Sequence, residues 1–184
     1  MELGDLVAAS TAVTATRSRT AKVAELARLL RVAAEAGPRE VTLVTAFLSG
    51  RVPHGRLGIG YRTIQGLPSS AEEPTLTLAD VDAAFTILST AGGAGSAAVR
   101  RDALDALFSP ATAPERDFLA GLVTGEVRQG ALDGVMQLAV AEASGVSLES
   151  VRRASMLAGR LDAVAPVALS SGEAGLAEIS LEVL

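Results

Sequence analysis

The chain has 184 residues, enough for one domain or two small subdomains that share a core, and 49% of its residues are hydrophobic. It contains no cysteine and a single histidine, His54, which excludes disulfides, thiolate chemistry and a Cys/His metal site. The formal net charge of -5 argues only weakly against nucleic acid as a partner, because a net figure does not say where the charges lie.

Hydrophobic residues recur at helical spacing along most of the chain, and short glycine and proline breaks separate the recurrences. Gly37-Pro38 ends the second helical segment, and QGLPSSAEEP, residues 65–74, is the best linker candidate because it combines glycine, prolines, serines and adjacent acids. Only ISLEVL, residues 179–184, alternates as a strand does. We therefore predict an all-α, multi-helix domain with a tail that departs from it. The predicted core positions are Leu3, Leu6, Val7, Val23, Leu26, Leu29, Leu30, Ala33, Val41, Val44, Phe47 or Leu48, Val81, Ala84, Phe85, Leu88, Val99, Leu104, Leu107, Phe118, Leu119, Leu122, Val123, Val135, Leu138 and Ala139, and the same pattern continues from Val151 through Leu161.

The two halves of the chain resemble each other. LSGRVPHGRL, residues 48–57, aligns without gaps on VTGEVRQGAL, residues 123–132, and SRTAKVAEL, residues 18–26, lies over SAAVRRDAL, residues 96–104. The second alignment pairs Lys22 with Arg100. Each half thus has a serine at a helix start, a cation about a turn later, two amphipathic helices and a G-x-V-x-x-G loop. This order predicts two pseudo-twofold-related helical repeats.

The repeat gives the expected organisation of the chain. We predict a first helical repeat at residues 1–66, a linker at 67–74, a second helical repeat at 75–169 and a tail at 170–184.

A glycine-rich loop that opens a helix is suited to binding phosphate. Glycine lets the backbone approach a partner closely, and the following helix adds unpaired N–H groups and the positive end of its dipole. Arginines in and beside the loops supply the charge, and two such loops would present a row of phosphate sites like the row of phosphates along a duplex. The alternative is that the glycines only cap helices and make tight turns.

Four stretches carry a resemblance to a known family. ATRSRTAKVAEL (15–26), SGRVPHGRLGIG (49–60), TGEVRQGALDGVM (124–136) and GVSLESVRRASMLAGRL (145–161) resemble the N-terminal DNA-binding domain of bacterial ATP-dependent DNA ligases. The resemblance extends from about Leu3 to Leu169. It implies an all-helical domain that grips the minor groove on both sides of a nick and contacts phosphates without reading base sequence.

The expected DNA-binding residues follow from the loops, the helix starts and the resemblance. Gly50 and Arg51 match a backbone-contacting pair of the family, while Glu126 is a departure, since an acid there faces phosphate. The Arg152-Arg153 pair is left open between a phosphate contact and a solvated surface. The full set is Arg17, Ser18, Arg19, Gly50, Arg51, His54, Gly55, Arg56, Gly58, Gly60, Arg62, Ser96, Arg100, Gly125, Arg128 and Gly130.

No catalytic residue is expected in this chain. Ligases of the family transfer adenylate through the lysine of a K-x-D-G motif. Lys22, the only lysine, is followed by Val23-Ala24-Glu25, and there is no Walker loop. His54 is read as a turn residue, and the acid pairs Asp102/Asp105 and Glu72/Glu73 as solvated faces.

The resemblance also implies the partners. A nucleotidyltransferase domain that uses ATP and Mg²⁺ would follow ISLEVL, so this fragment itself needs no cofactor and no metal. We expect nicked double-stranded DNA and the ligase's own catalytic domains as partners, in replication, repair or recombination. The resemblance also implies a bacterial, nucleoid-associated monomer. We expect it to be cytoplasmic, because no stretch approaches the roughly 18 apolar residues of a membrane span. The alternative is a helical-repeat scaffold that binds another protein.

Overall fold

The computed structural model describes residues 1–60, 63–64, 71–124 and 133–180, and this part of the chain is helical, with no strand beyond two isolated bridges. The all-α prediction is confirmed. The helices, in chain order, are α1 (Leu3–Ala15), α2 (Arg19–Ala36), α3 (Pro38–Leu48), α4 (Leu78–Thr90), α5 (Ser96–Phe108), α6 (Ala113–Thr124), α7 (Asp133–Ser144), α8 (Leu148–Ala158) and α9 (Leu161–Glu178). None of these helices is long and apolar enough to cross a membrane.

The chain divides into two compact units. The first unit comprises Met1–Val7 and Gly50–Arg128, and the second comprises Ala8–Ser49 and Gln129–Leu184. The first turn of α1 therefore belongs to one unit and the rest of α1 to the other. The loop at residues 50–60 is grouped with α4, α5 and α6, whereas α2 and α3 are grouped with α7, α8 and α9.

The compact units do not follow the predicted segments 1–66 and 75–169. Each unit takes helices or loops from both halves of the sequence. The pseudo-twofold relation between the halves stays a prediction, as do the repeat boundaries, and residues 67–70 of the predicted linker lie outside the described residues.

In the first unit, the chain start is held by backbone pairing and the helices by an aliphatic and aromatic core. Leu3 donates its N–H to Leu76 O at 2.8 Å, and Leu78 donates to Met1 O at 3.0 Å. α4 packs along α5. Phe85 and Phe108 are fully buried in this unit and provide its largest core side chains.

A capping box begins α4. Thr77 Oγ1 accepts from the Asp80 N–H at 3.2 Å, and Asp80 Oδ2 accepts from the Thr77 N–H at 2.9 Å. The Thr77 side chain also donates to the Asp80 carboxylate. The hydrogen bond from the Thr77 side chain, and to a smaller extent that from the Thr77 backbone, holds the pKa of Asp80 below its ordinary value.

We expect Thr77→Ala to lower the free energy of unfolding by about 1 kcal/mol at neutral pH, because the first turn of α4 loses its cap. Since the folded state lowers the pKa of Asp80, the stabilisation from its carboxylate is complete above the ordinary pKa and is lost as the pH falls through the lowered one. Urea denaturation at neutral and acid pH checks this. A cost that does not shrink in acid would contradict the assigned role of Asp80.

The second unit is a helical bundle. α2 packs against α7 and α3, and α9 packs against α3, α8 and α7. The predicted core positions of α2 are all buried: Val23, Leu26, Leu29, Leu30 and Ala33. Phe47 of α3 is 0% exposed and is the largest buried side chain of the unit. The break between α2 and α3 falls at Gly37-Pro38, as predicted, with a φ of 122° at Gly37 and Pro38 as the first residue of α3.

The predicted tail at residues 170–184 begins inside α9. The helix continues to Glu178, with non-helical dihedral angles at Gly172 (φ 58°, ψ -148°). Ile179 and Ser180 are neither helix nor strand, and residues 181–184 of the predicted strand lie outside the described residues.

Four of the core positions named individually are not buried: Val99 is 49% exposed, and Phe118, Val123 and Leu138 are half-buried. Val99 lies in the first turn of α5, whereas Leu104 and Phe108 further along the helix are buried. Helical spacing alone could not predict this exposure, since two alanines precede Val99 and leave the apolar stripe of α5 broad.

Candidate nucleic-acid interface

The loop of residues 50–60, here called the basic loop, leaves the end of α3 through a glycine in the left-handed region. Gly50 has a φ of 68°. The chain then makes a tight turn in which Gly55 donates its N–H to Val52 O at 3.3 Å, with Pro53 and His54 at the centre. Proline at the second position and glycine at the fourth are the residues that such turns prefer. Gly50 and Gly55 therefore take part in turns, and whether the glycines of the loop also admit phosphate stays a prediction.

His54 of the basic loop faces the protein. Its Nε2 lies 2.6 Å from Asp82 Oδ1 on α4, and its side chain is 4% exposed. The ring also meets the Phe85 ring edge-on, at 5.6 Å between centroids and an angle of 86°. Burial removes the imidazole from the outer surface of the loop. The ring ties the basic loop to α4, and the predicted DNA contact of His54 stays a prediction.

Arg100 of α5 reaches back to the basic loop. Its guanidinium donates to Leu57 O and, at 2.5 Å, to Leu88 O at the end of α4. Leu57 itself is 5% exposed, so the loop drops into the core of the first unit at this residue. The Arg100 guanidinium, predicted to contact DNA, thus makes two hydrogen bonds to carbonyl oxygens of its own unit.

Arg51 and Arg56 are the exposed cations of the basic loop. They lie on either side of the buried His54, and Gly55, Gly58 and Gly60 around them are exposed as well. An exposed guanidinium presents five donors in a fork that suits phosphate oxygens, and adjacent glycines let those oxygens approach the backbone. This surface can bind an extended polyanion.

The two helix starts predicted to join the interface differ in their caps. Ser18 is the N-cap of α2, and its Oγ accepts from the Ala21 N–H at 3.2 Å. Ser96 is instead the first residue of α5, and the cap is Gly95, with a φ of 82°. The Ser18-led start is flanked by exposed Arg17 and Arg19, which add charge to the positive end of the α2 dipole.

The predicted site residues fall into three groups. Those of the first unit are Gly50, Arg51, His54, Gly55, Arg56, Gly58, Gly60, Ser96 and Arg100, and the contacts of His54 and Arg100 bring the loop, α4 and α5 together. Those of the second unit are Arg17, Ser18 and Arg19. Arg62, Gly125, Arg128 and Gly130 lie outside the described residues.

Two residues that support this region, Asp82 and Arg116, went unnoticed in the sequence, and a third, Phe85, was predicted only as a core position. Asp82 holds His54, and Phe85, one turn later on α4, covers its ring. Arg116 of α6 donates to Ile64 O at 2.9 Å, just after the basic loop. An acid three residues before a core phenylalanine is a weak signal for Asp82, because it places a carboxylate at the border of the core. No spacing in the sequence points to Arg116.

The interpretation of Arg152 and Arg153, as a phosphate contact or a solvated surface, stays open. Arg153 donates to Leu176 O at 2.7 Å and so joins α8 to the end of α9. Arg152 is exposed.

These observations define a class of protein: a helical chain with a basic, glycine-rich loop that is held on its own helices. A family model described as DNA ligase N terminus matches residues 3–141. The chain therefore belongs to the DNA ligase N terminus family. The resemblance carried by the four sequence stretches is confirmed at this level.

Curated relatives agree with the family. A probable DNA ligase of Anaeromyxobacter dehalogenans is 50% identical over 187 residues, which is 100% of this chain and 36% of the relative. Another, of Saccharopolyspora erythraea, is 50% identical over 182 residues, covering 98% of this chain and 35% of the relative. A third, of Streptomyces griseus, is 48% identical over 183 residues. The chain thus spans about 35% of the length of the relatives that it matches.

Proposed function

We propose that this chain is the duplex-binding module of an ATP-dependent DNA ligase, and that it holds nicked double-stranded DNA through the minor groove and the phosphate backbone without reading base sequence. The observation that carries the proposal is the basic loop. It keeps Arg51 and Arg56 exposed, while the side chain of His54, which lies between them in the sequence, is buried on α4. Family membership and the probable DNA ligases among the relatives support it.

Phosphate binding explains how a chain with a net charge of -5 can hold a polyanion. Two exposed arginines, Arg51 and Arg56, lie on the basic loop, and each phosphate that an arginine neutralises releases condensed counterions from the DNA. Contacts of this kind fix position on the duplex but carry no sequence information, so base composition should matter little.

A second set of contacts completes the proposal. Arg17, Ser18 and Arg19 at the start of α2 supply backbone N–H groups, a helix dipole and two exposed cations. From the sequence alone, we add Gly125, Arg128 and Gly130 of the second G-x-V-x-x-G loop. Separate phosphate-binding sets of this kind would let the module hold the DNA backbone at more than one place along a duplex.

The chemistry of sealing is assigned to the rest of the protein. Without a K-x-D-G lysine in this chain, adenylate transfer from ATP, and the Mg²⁺ it needs, belong to catalytic domains in the remaining two-thirds of the relatives' length. We propose that the whole protein serves replication, repair or recombination in the bacterial cytoplasm, associated with the nucleoid, and that it acts as a monomer.

We expect the 184-residue chain to bind nicked duplex more tightly than single-stranded DNA of the same length. The dissociation constant should be micromolar or weaker at moderate salt and should rise steeply with salt, with a log–log slope of about 0.9 for each phosphate contacted. Fluorescence anisotropy with labelled oligonucleotides of two base compositions measures the dissociation constants for duplex and single strand and their dependence on salt. A failure to bind at low salt, or tighter binding to single strands, would contradict the proposal.

A protein-binding role is the second candidate, and one feature favours it. A groove of about 390 Å³ lies between α4 and α5, and Ile87 on its wall is 42% exposed. Ala83, Ala106 and Leu107 also line it. Under this alternative, the glycines of the basic loop would serve only to form turns. Reversing the charge of the loop arginines would then leave DNA binding unchanged.

A further inference from the structure

We propose that Arg100 and the His54–Asp82 pair are positioning residues, which hold the backbone of the basic loop in its binding conformation before DNA arrives. The inference rests on the proposed function, because it concerns how Arg51 and Arg56 are presented to phosphate. It gives Arg100 a role through the loop rather than a contact of its own with DNA.

Arg100 joins three elements of the first unit. It extends from α5, and its guanidinium donates to Leu57 O in the basic loop and to Leu88 O in α4. Arg100 is half-buried, whereas Arg101 beside it on α5 is exposed. A planar guanidinium that satisfies two carbonyl oxygens fixes the direction of both, which a point charge on a flexible stem would do less well.

Gly58 shows how closely the loop lies on this guanidinium. A Cβ built at Gly58 would be 2.9 Å from Arg100 Nη2, and the φ of Gly58 is +62°. Glycine is therefore required at position 58 for two reasons: it adopts this backbone conformation, and it leaves the space that the Arg100 guanidinium occupies. Gly93, between α4 and α5, has only the first constraint, because its φ is +79° and a Cβ there would meet nothing within 4 Å.

The His54–Asp82 pair is a second fixed point on the same loop. The side chain of His54 is held at 2.6 Å from the Asp82 carboxylate and packed on Phe85. His54 and Leu57 bracket Arg56, and Arg51 lies three residues before His54. A loop fixed at two points loses less conformational entropy on binding than a free one, so its arginines bind phosphate more tightly for the same contacts.

Two alanine variants of equal charge test the inference. Gly58→Ala should displace Arg100 from Leu57 O and weaken binding to nicked duplex by about 5- to 10-fold, as expected when a preorganised loop becomes mobile. Gly93→Ala is the matched control, because Gly93 shares the left-handed backbone but a Cβ there meets nothing within 4 Å, and it should change binding by less than about 2-fold. Equal effects of the two variants would overturn the inference.

A double-mutant cycle distinguishes positioning from direct contact. Arg100→Gln should weaken binding in the natural chain but have no further effect in an Arg51→Ala/Arg56→Ala background, because the residues that it positions are gone. If Arg100 itself contacted phosphate, the same fold-change and its own decrease in salt slope would appear in both backgrounds. That additive result would overturn the inference.

Hydrogen exchange gives a readout that does not depend on DNA. In Arg100→Gln, the Gly55 amide, which donates to Val52 O at 3.3 Å, should exchange faster, while the amides in the middle of α2 stay protected if the fold is intact. Unchanged exchange in the loop would overturn the inference alone. A different result would overturn the proposed function: the natural chain fails to bind DNA at low salt, while the loop amide of Arg100→Gln exchanges faster. The binding role assigned to Arg100 and the His54–Asp82 pair would then be overturned as well.

Discussion

Arg51→Glu is expected to weaken binding to nicked duplex by about 10- to 100-fold at about 50 mM salt. Arg51 is an exposed cation of the basic loop, and the change both removes a charge-assisted hydrogen bond to phosphate and places an acid against the DNA backbone. The loss should be the same on DNA of any base composition, because phosphates carry no sequence information.

Salt dependence provides the sharper measurement for this variant. The slope of log affinity against log salt should decrease in magnitude by roughly one, since one fewer phosphate is neutralised. Adding Arg56→Glu should reduce it by about one more. Anisotropy titrations at four or five salt concentrations give both slopes.

A control with the same change in charge separates local contact from net charge. Arg28→Glu alters an exposed arginine in the middle of α2, whose guanidinium is paired with Glu25 at 2.7 Å. We expect its affinity for nicked duplex to stay within about 3-fold of the natural chain, as long-range charge effects are screened. If Arg51→Glu behaved no differently from Arg28→Glu, the protein-binding alternative would be favoured.

The largest effect on stability is expected for Phe47→Ala. Phe47 is 0% exposed in the second unit, so the substitution removes an aromatic side chain from a packed core and leaves a cavity. The cost should be about 3–5 kcal/mol in the free energy of unfolding, a large share of the stability of a domain this size.

Urea denaturation followed by circular dichroism at about 222 nm, where helices absorb, measures this cost. Circular dichroism is the suitable probe because the chain has no tryptophan and one tyrosine. Met156→Ala is the matched control: Met156 is 74% exposed on α8, and its loss should cost less than about 0.5 kcal/mol. Similar costs for the two variants would contradict the burial of Phe47.

Local patterns in the sequence determined where the helices lie. In α2, Val23, Leu26 and Ala33 recur with the helical period and are all buried, and Gly37-Pro38 ends the helix where the pattern stops. These features depend on residues within one or two turns of each other, so the sequence expresses them directly. The same holds for the motifs that place the chain in its family.

Tertiary structure decided which residues of the basic loop face outward and which face the protein. His54 and Arg100 were predicted to contact phosphate from their residue types and positions. Their partners Asp82 and Leu57, however, lie 28 and 43 positions away along the chain. It also decided that Val99 is exposed and that the loop belongs with α4 and α5 rather than with α2. A side chain's partner is set by how elements pack, and packing joins residues that no local period relates.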